Sequence, residues 1–162
     1  MSTTMRVAIA LGSNSPDRAD MLHGALLALE QHADVRVLVR SRIEETAAIG
    51  PPQPSFLNQM LLAETTLALT DLLTVLQRIE RDHGRQRVVP KGPRTLDLDI
   101  VWADAPTCTS DTLLVPHPGL NDREFWQREL VEVLGETAAH AAIAAARVHA
   151  GMDTARPSGV AS

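Results

Sequence analysis

Apolar and polar positions along this 162-residue chain follow two periods, and the switches between them mark its elements. Arg6–Leu11 is a nearly unbroken apolar run of strand length and reads as a first, largely buried strand. Ser15-Pro16-Asp17 has the composition of a helix start: a capping serine, proline at the first helical position and an acid in the first turn. Leu22, Leu26, Leu29 and Ala33 then form one apolar helical stripe. Val35, Val37 and Val39 alternate with Arg36, Leu38 and Arg40, which predicts a second strand continuing to Ile43. Ala47–Pro54 contains one glycine and three prolines, a loop of restricted geometry. Phe56–Thr65 is a third strand. Thr70-Asp71 caps a second helix with the stripe Leu72, Leu76, Ile79, ending near His83-Gly84. A loop from Arg85 to Arg94 leads into a fourth strand.

The order β-α-β-β-α-β predicts a ferredoxin-like α+β sandwich, with both helices on one face of an antiparallel sheet. Thr112–Val115 adds a short strand, Arg123–Leu134 an amphipathic helix, and Thr137–Ala150 an alanine-rich helix. Gly151–Ser162 is small and polar enough to fray, so residues 1–150 are expected to form a single domain and 151–162 a flexible tail. No internal repeat is present.

The fourth strand carries the most informative chemistry. From Leu96 to Trp102 the chain reads Leu-Asp-Leu-Asp-Ile-Val-Trp, placing Leu96, Leu98, Ile100 and Trp102 on one face. Asp97 and Asp99 share the other face, with Cα atoms about 6.5–7 Å apart at normal strand rise. Two neighbouring carboxylates repel unless something positive lies between them. Mg²⁺ takes one or two carboxylates and completes its octahedron with water and phosphate oxygens. Lys91 and Arg94, just upstream, stand where such phosphates would lie. A charged, solvated edge strand explains the same spacing.

Composition narrows the class. The chain is 44% hydrophobic with a net charge of −5, which argues against general nucleic-acid binding. Lys91 is the only lysine, so nearly all positive charge is arginine, the better fork for phosphate oxygens. Cys108 is the only cysteine, so no internal disulfide is expected and a reducing cytoplasm fits. No segment approaches the ~18 apolar residues of a membrane span, and Val7–Leu11 is too short for a signal-peptide core. No glycine-rich phosphate loop occurs, so phosphoryl chemistry here would depend on metals and arginines.

The run Gly92-Pro93-Arg94-Thr95-Leu96-Asp97-Leu98-Asp99-Ile100 resembles the signature of the 6-hydroxymethyl-7,8-dihydropterin pyrophosphokinase family. Gly12-Ser13-Asn14, Gly50-Pro51, Phe56-Leu57-Asn58, Gln77-Arg78-Ile79-Glu80, Gly84-Arg85-Gln86-Arg87 and Val115-Pro116-His117-Pro118 are similar to other family segments, as are Arg123 and Phe125. These matches run in order from residue 6 to about 133.

The resemblance implies transfer of pyrophosphate from ATP to the hydroxymethyl oxygen of a dihydropterin, releasing AMP, in folate biosynthesis. It implies two Mg²⁺ ions on Asp97 and Asp99, with Arg85 and Arg94 as catalytic cations. ATP would meet Gln77, Glu80, Arg85, Arg87, Lys91, Arg94, Ile100, His117 and Arg123. The pterin would stack between Phe56 and Phe125, hydrogen-bond Asn58, and meet backbone groups of Thr46, Ala47 and Ile49. The expected protein is a cytoplasmic monomer whose partners are ATP and a dihydropterin, with no nucleic acid and no membrane. The other histidines, His23, His32, His83, His140 and His149, show no ligand spacing and read as structural or solvated.

Some positions depart from the family pattern. Lys91 stands where tryptophan is common, and the 84–92 loop is one residue shorter and contains Pro90. Glu44-Glu45 replaces an aromatic and basic pair, Ala47-Ala48 replaces prolines, Asn121 a basic residue, and Glu129-Leu130 a Pro-Leu. Two other readings accompany the enzyme: a non-catalytic paralogue that binds nucleotide or pterin, and a pyrophosphokinase for a modified pterin. Residues 85–91, rich in positive charge and without an apolar stripe, are expected to order over ATP.

Overall fold

The computed structural model describes residues 3–48, 52–84, 96–110 and 112–154. Its centre is an antiparallel sheet built on β1 (Met5–Ser13), which pairs along its whole length with β4 (Phe56–Thr65) and on its other side with β5 (Asp97–Ala103). β2 (Val35–Arg40) lies outside β4, giving the order β2-β4-β1-β5. With α1 (Arg18–Gln31) and α2 (Leu69–Gly84) between strands, this is the expected ferredoxin-like arrangement.

Both faces of the sheet are covered. Val7, Ile9, Leu11, Leu61, Leu98 and Ile100 pack with Leu22, Leu26 and Leu29 of α1 and Leu72, Leu76 and Ile79 of α2. The opposite face, with Ala8, Ala10, Met60, Leu62 and Val101, packs under α3 (Glu124–Leu134) and α4 (Glu136–Thr154). Each fully buried leucine in these layers contributes about 1.5–3 kcal/mol. Gly135, at φ 91°, joins α3 to α4 in a backbone conformation that a side chain would strain.

Several local expectations shift. The second strand does not continue to Ile43. It breaks at Ser41, whose backbone and hydroxyl bond β4 at Met60, and Ile43 is half exposed. Pairing resumes as β3 (Glu44–Thr46) beside Phe56–Asn58. Ser15-Pro16 form a turn and α1 starts at Arg18, while Ala33 lies exposed beyond the helix end. Thr70-Asp71 fall inside the first turn of α2, where Ala68 O accepts the Leu72 N–H. Trp102 leaves the Leu98/Ile100 face, because the β1–β5 register slips between Ala8 and Ile9. That irregularity skips Val101 and turns Trp102 toward the α3–α4 layer.

Within 112–115 only Leu114–Val115 (β7) is strand, paired with β6 (Cys108–Thr109). α4 runs through Gly151 to Thr154, past the point where fraying is expected from composition. Among the described residues, no helix is long and apolar enough to cross a membrane.

Candidate active site

The site starts from a size alternation in β1. Val7, Ile9 and Leu11 point to the α1–α2 layer, whereas Ala8, Ala10 and Gly12 point to the other side and leave space there. Register sets Gly12 between Asn58 of β4 and Asp97 of β5, and Ala10 between Met60 and Asp99. Phe56, Asn58, Asp97 and Asp99 therefore share one face of the sheet. A methyl group at position 12 would come within 3.1 Å of Asn58 Oδ1, so glycine keeps this floor open.

Above that floor is a cavity of about 320 Å³. Thr46, Ala47, Phe56 and Asn58 line the β3–β4 side, and Arg123, Phe125 and Trp126 line the α3 side. Asp97 and Asp99 stand at its β5 margin. A second cavity of about 210 Å³ lies against Asp99, Ile100, Thr112, Leu113, Leu114, His117 and Pro118. Asp99 belongs to the walls of both, so its carboxylate sits at their junction.

Each polar wall residue is held by a specific bond. Asn58 is buried and donates from Nδ2 to Thr46 Oγ1 at 2.7 Å, which turns its Oδ1 toward Gly12. Thr46 thus acts through its hydroxyl, beyond the backbone role implied by the family resemblance. His117 N is tied to Val101 O at 2.9 Å, and its Nδ1 accepts from Gly119 N at 2.9 Å. In the neutral ring the proton then lies on Nε2, 3.8 Å from Asp99 Oδ1. The edge of the His117 ring meets Trp126 with centroids 5.0 Å apart. Arg123 lays its guanidinium over the Trp126 ring, 4.3 Å from the ring centroid. Trp126 therefore orients both basic residues.

Glu80, half-buried on α2, accepts from Leu98 N at 2.9 Å. Leu98 lies between the two aspartates, so this bond fastens their strand to α2. Ile100 is buried in the core and also lines the smaller cavity. Gln77 is exposed on α2 and lines neither cavity. Ile49, Arg85, Arg87, Lys91 and Arg94 lie outside the described residues.

The loop after β3 is anchored by residues that sequence reasoning left without a role. Arg18 donates to Ser55 O at 2.6 Å, to Ser55 Oγ at 2.7 Å and to Glu45 Oε2 at 3.0 Å, and Ser55 Oγ also bonds Glu45. The Ser55 bond and the Arg18 cation hold the Glu45 carboxyl below its ordinary range. Asn14 Nδ2 donates to Gln53 Oε1 at 3.1 Å, and Gln53 lines the larger cavity. Trp126 was also missed. The Ala8/Ala10/Gly12 alternation and the pairing of Trp126 with Phe125 were the available signals.

The 7,8-dihydro-6-hydroxymethylpterin-pyrophosphokinase family profile matches residues 8–135, a span that includes every described wall of both cavities. The chain belongs to this pyrophosphokinase family. It is 42% identical over 126 residues to the 2-amino-4-hydroxy-6-hydroxymethyldihydropteridine pyrophosphokinase of Bacillus subtilis, covering 77% of this chain and 75% of the relative. It is also 40% identical over 145 residues to the mitochondrial folate synthesis bifunctional protein of Arabidopsis thaliana, covering 86% of this chain and 26% of that one. The fold is shared with the crystal structure of Plasmodium falciparum HPPK-DHPS with pterin and p-hydroxybenzoate, at a TM-score of 0.63 and 10% identity. That match covers 94% of this chain and 45% of the other. The chain thus spans most of the Bacillus subtilis relative and less than half of the Arabidopsis thaliana protein and of the Plasmodium falciparum HPPK-DHPS chain.

Proposed function

We propose that this pyrophosphokinase-family enzyme transfers the pyrophosphoryl group of ATP to the hydroxymethyl oxygen of 6-hydroxymethyl-7,8-dihydropterin, a step of folate biosynthesis. One observation carries the assignment of the site. Asp97 and Asp99 share a sheet face at the junction of an aromatic-lined cavity and a second, polar-edged one. The larger cavity takes the pterin, and the smaller one takes part of the nucleotide.

Phe56 and Phe125 enclose the flat ring, and each aromatic pair adds about 0.5–1.5 kcal/mol beyond area burial. Asn58 Oδ1, fixed by Thr46, accepts from a pterin N–H, while Thr46, Ala47 and Ile49 offer backbone groups. Arg123 and His117 Nε2–H donate to phosphate oxygens, and Trp126 keeps both in place. Gln77, Glu80, Arg87, Lys91 and Ile100 complete the nucleotide side, with Glu80 acting through the strand it fastens. The hydroxymethyl oxygen forms a bond to the β-phosphorus and gives up its proton to solvent, as the bond from that phosphorus to the departing AMP oxygen breaks. Arg85 and Arg94 follow the charge as it moves onto AMP, the kind of interaction that strengthens in the transition state.

The donor set at Asp97 and Asp99 fits Mg²⁺: hard oxygen ligands only, at a cavity margin where phosphate and water can supply the rest. Bound Mg²⁺, two ions in this reading, offsets the negative charge that builds on the transferred group and on AMP. A protein that only binds pterin has no need of the paired carboxylates. The reading carries with it a monomeric, cytoplasmic enzyme that uses neither nucleic acid nor a membrane.

The test is AMP formation from ATP, Mg²⁺ and 6-hydroxymethyl-7,8-dihydropterin. Pterin-dependent AMP release is the expected result. AMP no higher than in a pterin-free control overturns the reading.

A further inference from the structure

Glu129 is a carboxyl group with no exposure to solvent, on the inner face of α3 between Trp126 and Leu130. Both its oxygens lack a hydrogen-bond donor, and so does the buried Oε1 of Glu44 on β3. Arg128, the residue before Glu129 on α3, reaches Glu44 Oε2 at 3.2 Å, which brings the Glu44 carboxyl against the helix beside Glu129. Two ionised carboxylates in that position would carry an unpaired buried charge against a like charge, a cost of several kcal/mol. A proton between them removes the charge on Glu129 and supplies the donor that Glu44 Oε1 lacks.

The surrounding charges do not neutralise Glu129. Arg128 spends its Nε on the other oxygen of Glu44, at 3.2 Å. Arg42 pairs with Glu132 at 3.5 Å, and Glu132 adds negative charge. Beneath the helix, β1 and β4 present Ala8, Ala10, Asn58, Met60 and Leu62. The ionisable residues of that face are Arg6, paired with Asp104, and Glu64 at the opposite end of the strands, and Asp97 and Asp99 on β5 at the cavity margin. α4 faces it with Ala139, Ala142 and Ala146, and its buried His149 is bonded to Pro116 O. Burial and Glu44 push the Glu129 carboxyl up to about 9.

The pair joins the two walls of the larger cavity. Glu129 lies one helical turn after Phe125, on the same side of α3. Glu44 lies two residues before Thr46, on the same side of β3. We propose that Glu44 and Glu129 share one proton and act as a latch, fastening β3 to α3 and setting the gap between the walls that enclose the pterin. Glu129 and Glu44 are positioning residues, since neither lines the larger cavity. The inference rests on the pterin reading of that cavity.

Glu129→Gln keeps the shape and donates an amide N–H to Glu44 at every pH, whereas Glu129→Ala removes the latch. Wild-type protein should hold pterin with constant affinity from pH 6 to 8 and lose roughly tenfold by pH 10, the scale of one hydrogen bond to a charged group. Glu129→Gln should stay flat over that range, and Glu129→Ala should be weakened at every pH while binding a nucleotide analogue normally. Ionisation of the ligand is common to all three proteins and cancels in the comparison. Infrared difference spectra provide the separate check. Wild type minus Glu129→Gln should show a protonated-carboxyl band at pH 7 that vanishes as Glu129 titrates. If wild type binds no pterin, the site reading fails while the band still reports the shared proton. Absence of the band, or equal pH dependence in wild type and Glu129→Gln, overturns the latch.

Discussion

Glu44 and Glu45 are neighbours in sequence with opposite surroundings. β3 alternates its side chains, so Glu44 turns to α3 and meets Glu129, while Glu45 turns to α1 and meets Arg18. The exposed Glu45 gains a cation and two hydrogen bonds and stays ionised. Asp97 and Asp99, two residues apart on β5, keep to the same side, and their arrangement suits a cation. Asp97→Ala and Asp99→Ala should therefore abolish pyrophosphoryl transfer and weaken Mg²⁺-dependent ATP binding. Without metal both variants should stay folded, as substitutions at partly exposed positions normally do. Near-normal turnover in either variant, measured by AMP release, would remove the metal-site assignment.

At the scale of elements, the site depends on how strands are fastened to helices. Leu98 N–H, between the two aspartates, has the Glu80 carboxylate as its acceptor. Glu80→Ala leaves that half-buried donor without its partner, at a cost of about 1–3 kcal/mol, and loosens the strand that carries both carboxylates. Urea unfolding should show the stability loss, and kcat should fall more than pterin affinity. Glu80→Gln retains an acceptor oxygen and should restore most of both. If Glu80→Gln were as damaged as Glu80→Ala, the charge of Glu80, acting on nucleotide, would be its main contribution. Elements of this kind were legible where one period ran long: β4 begins and ends where the pattern of Phe56–Thr65 places it, and the stripes of α1 and α2 are buried except for Ala33. The Asp97/Asp99 face was legible for the same reason. What failed was short or irregular. β6 has two residues, too few for any period. The register slip near Ile100 sends Trp102 to the other layer, which a strict alternation of two cannot show. The Glu44–Glu129 contact joins positions far apart in sequence, and no local pattern links them.

For the whole molecule, the consequence of a buried neutral acid is a tilt in stability against pH. In the unfolded chain Glu129 has an ordinary carboxylate value near 4.5, and in the fold it is raised to about 9. Between those values the folded protein holds a proton that the unfolded chain has released. Stability contributed by Glu129 is therefore complete below about pH 4.5 and declines as pH rises, levelling off above 9. One proton sets the slope at no more than about 1.4 kcal/mol per pH unit. Glu45 acts in the opposite direction, since its depressed value gives stability above the ordinary carboxylate range that is lost on acidification. Thermal or urea unfolding from pH 5 to 9 should show wild type losing stability steadily, and Glu129→Gln, which has no proton to lose, following a shallower line. All other titrating groups are shared by the two proteins, so the difference between their slopes belongs to position 129. Parallel lines would mean that Glu129 is ionised in the folded protein, with the buried charge compensated by a group other than Glu44.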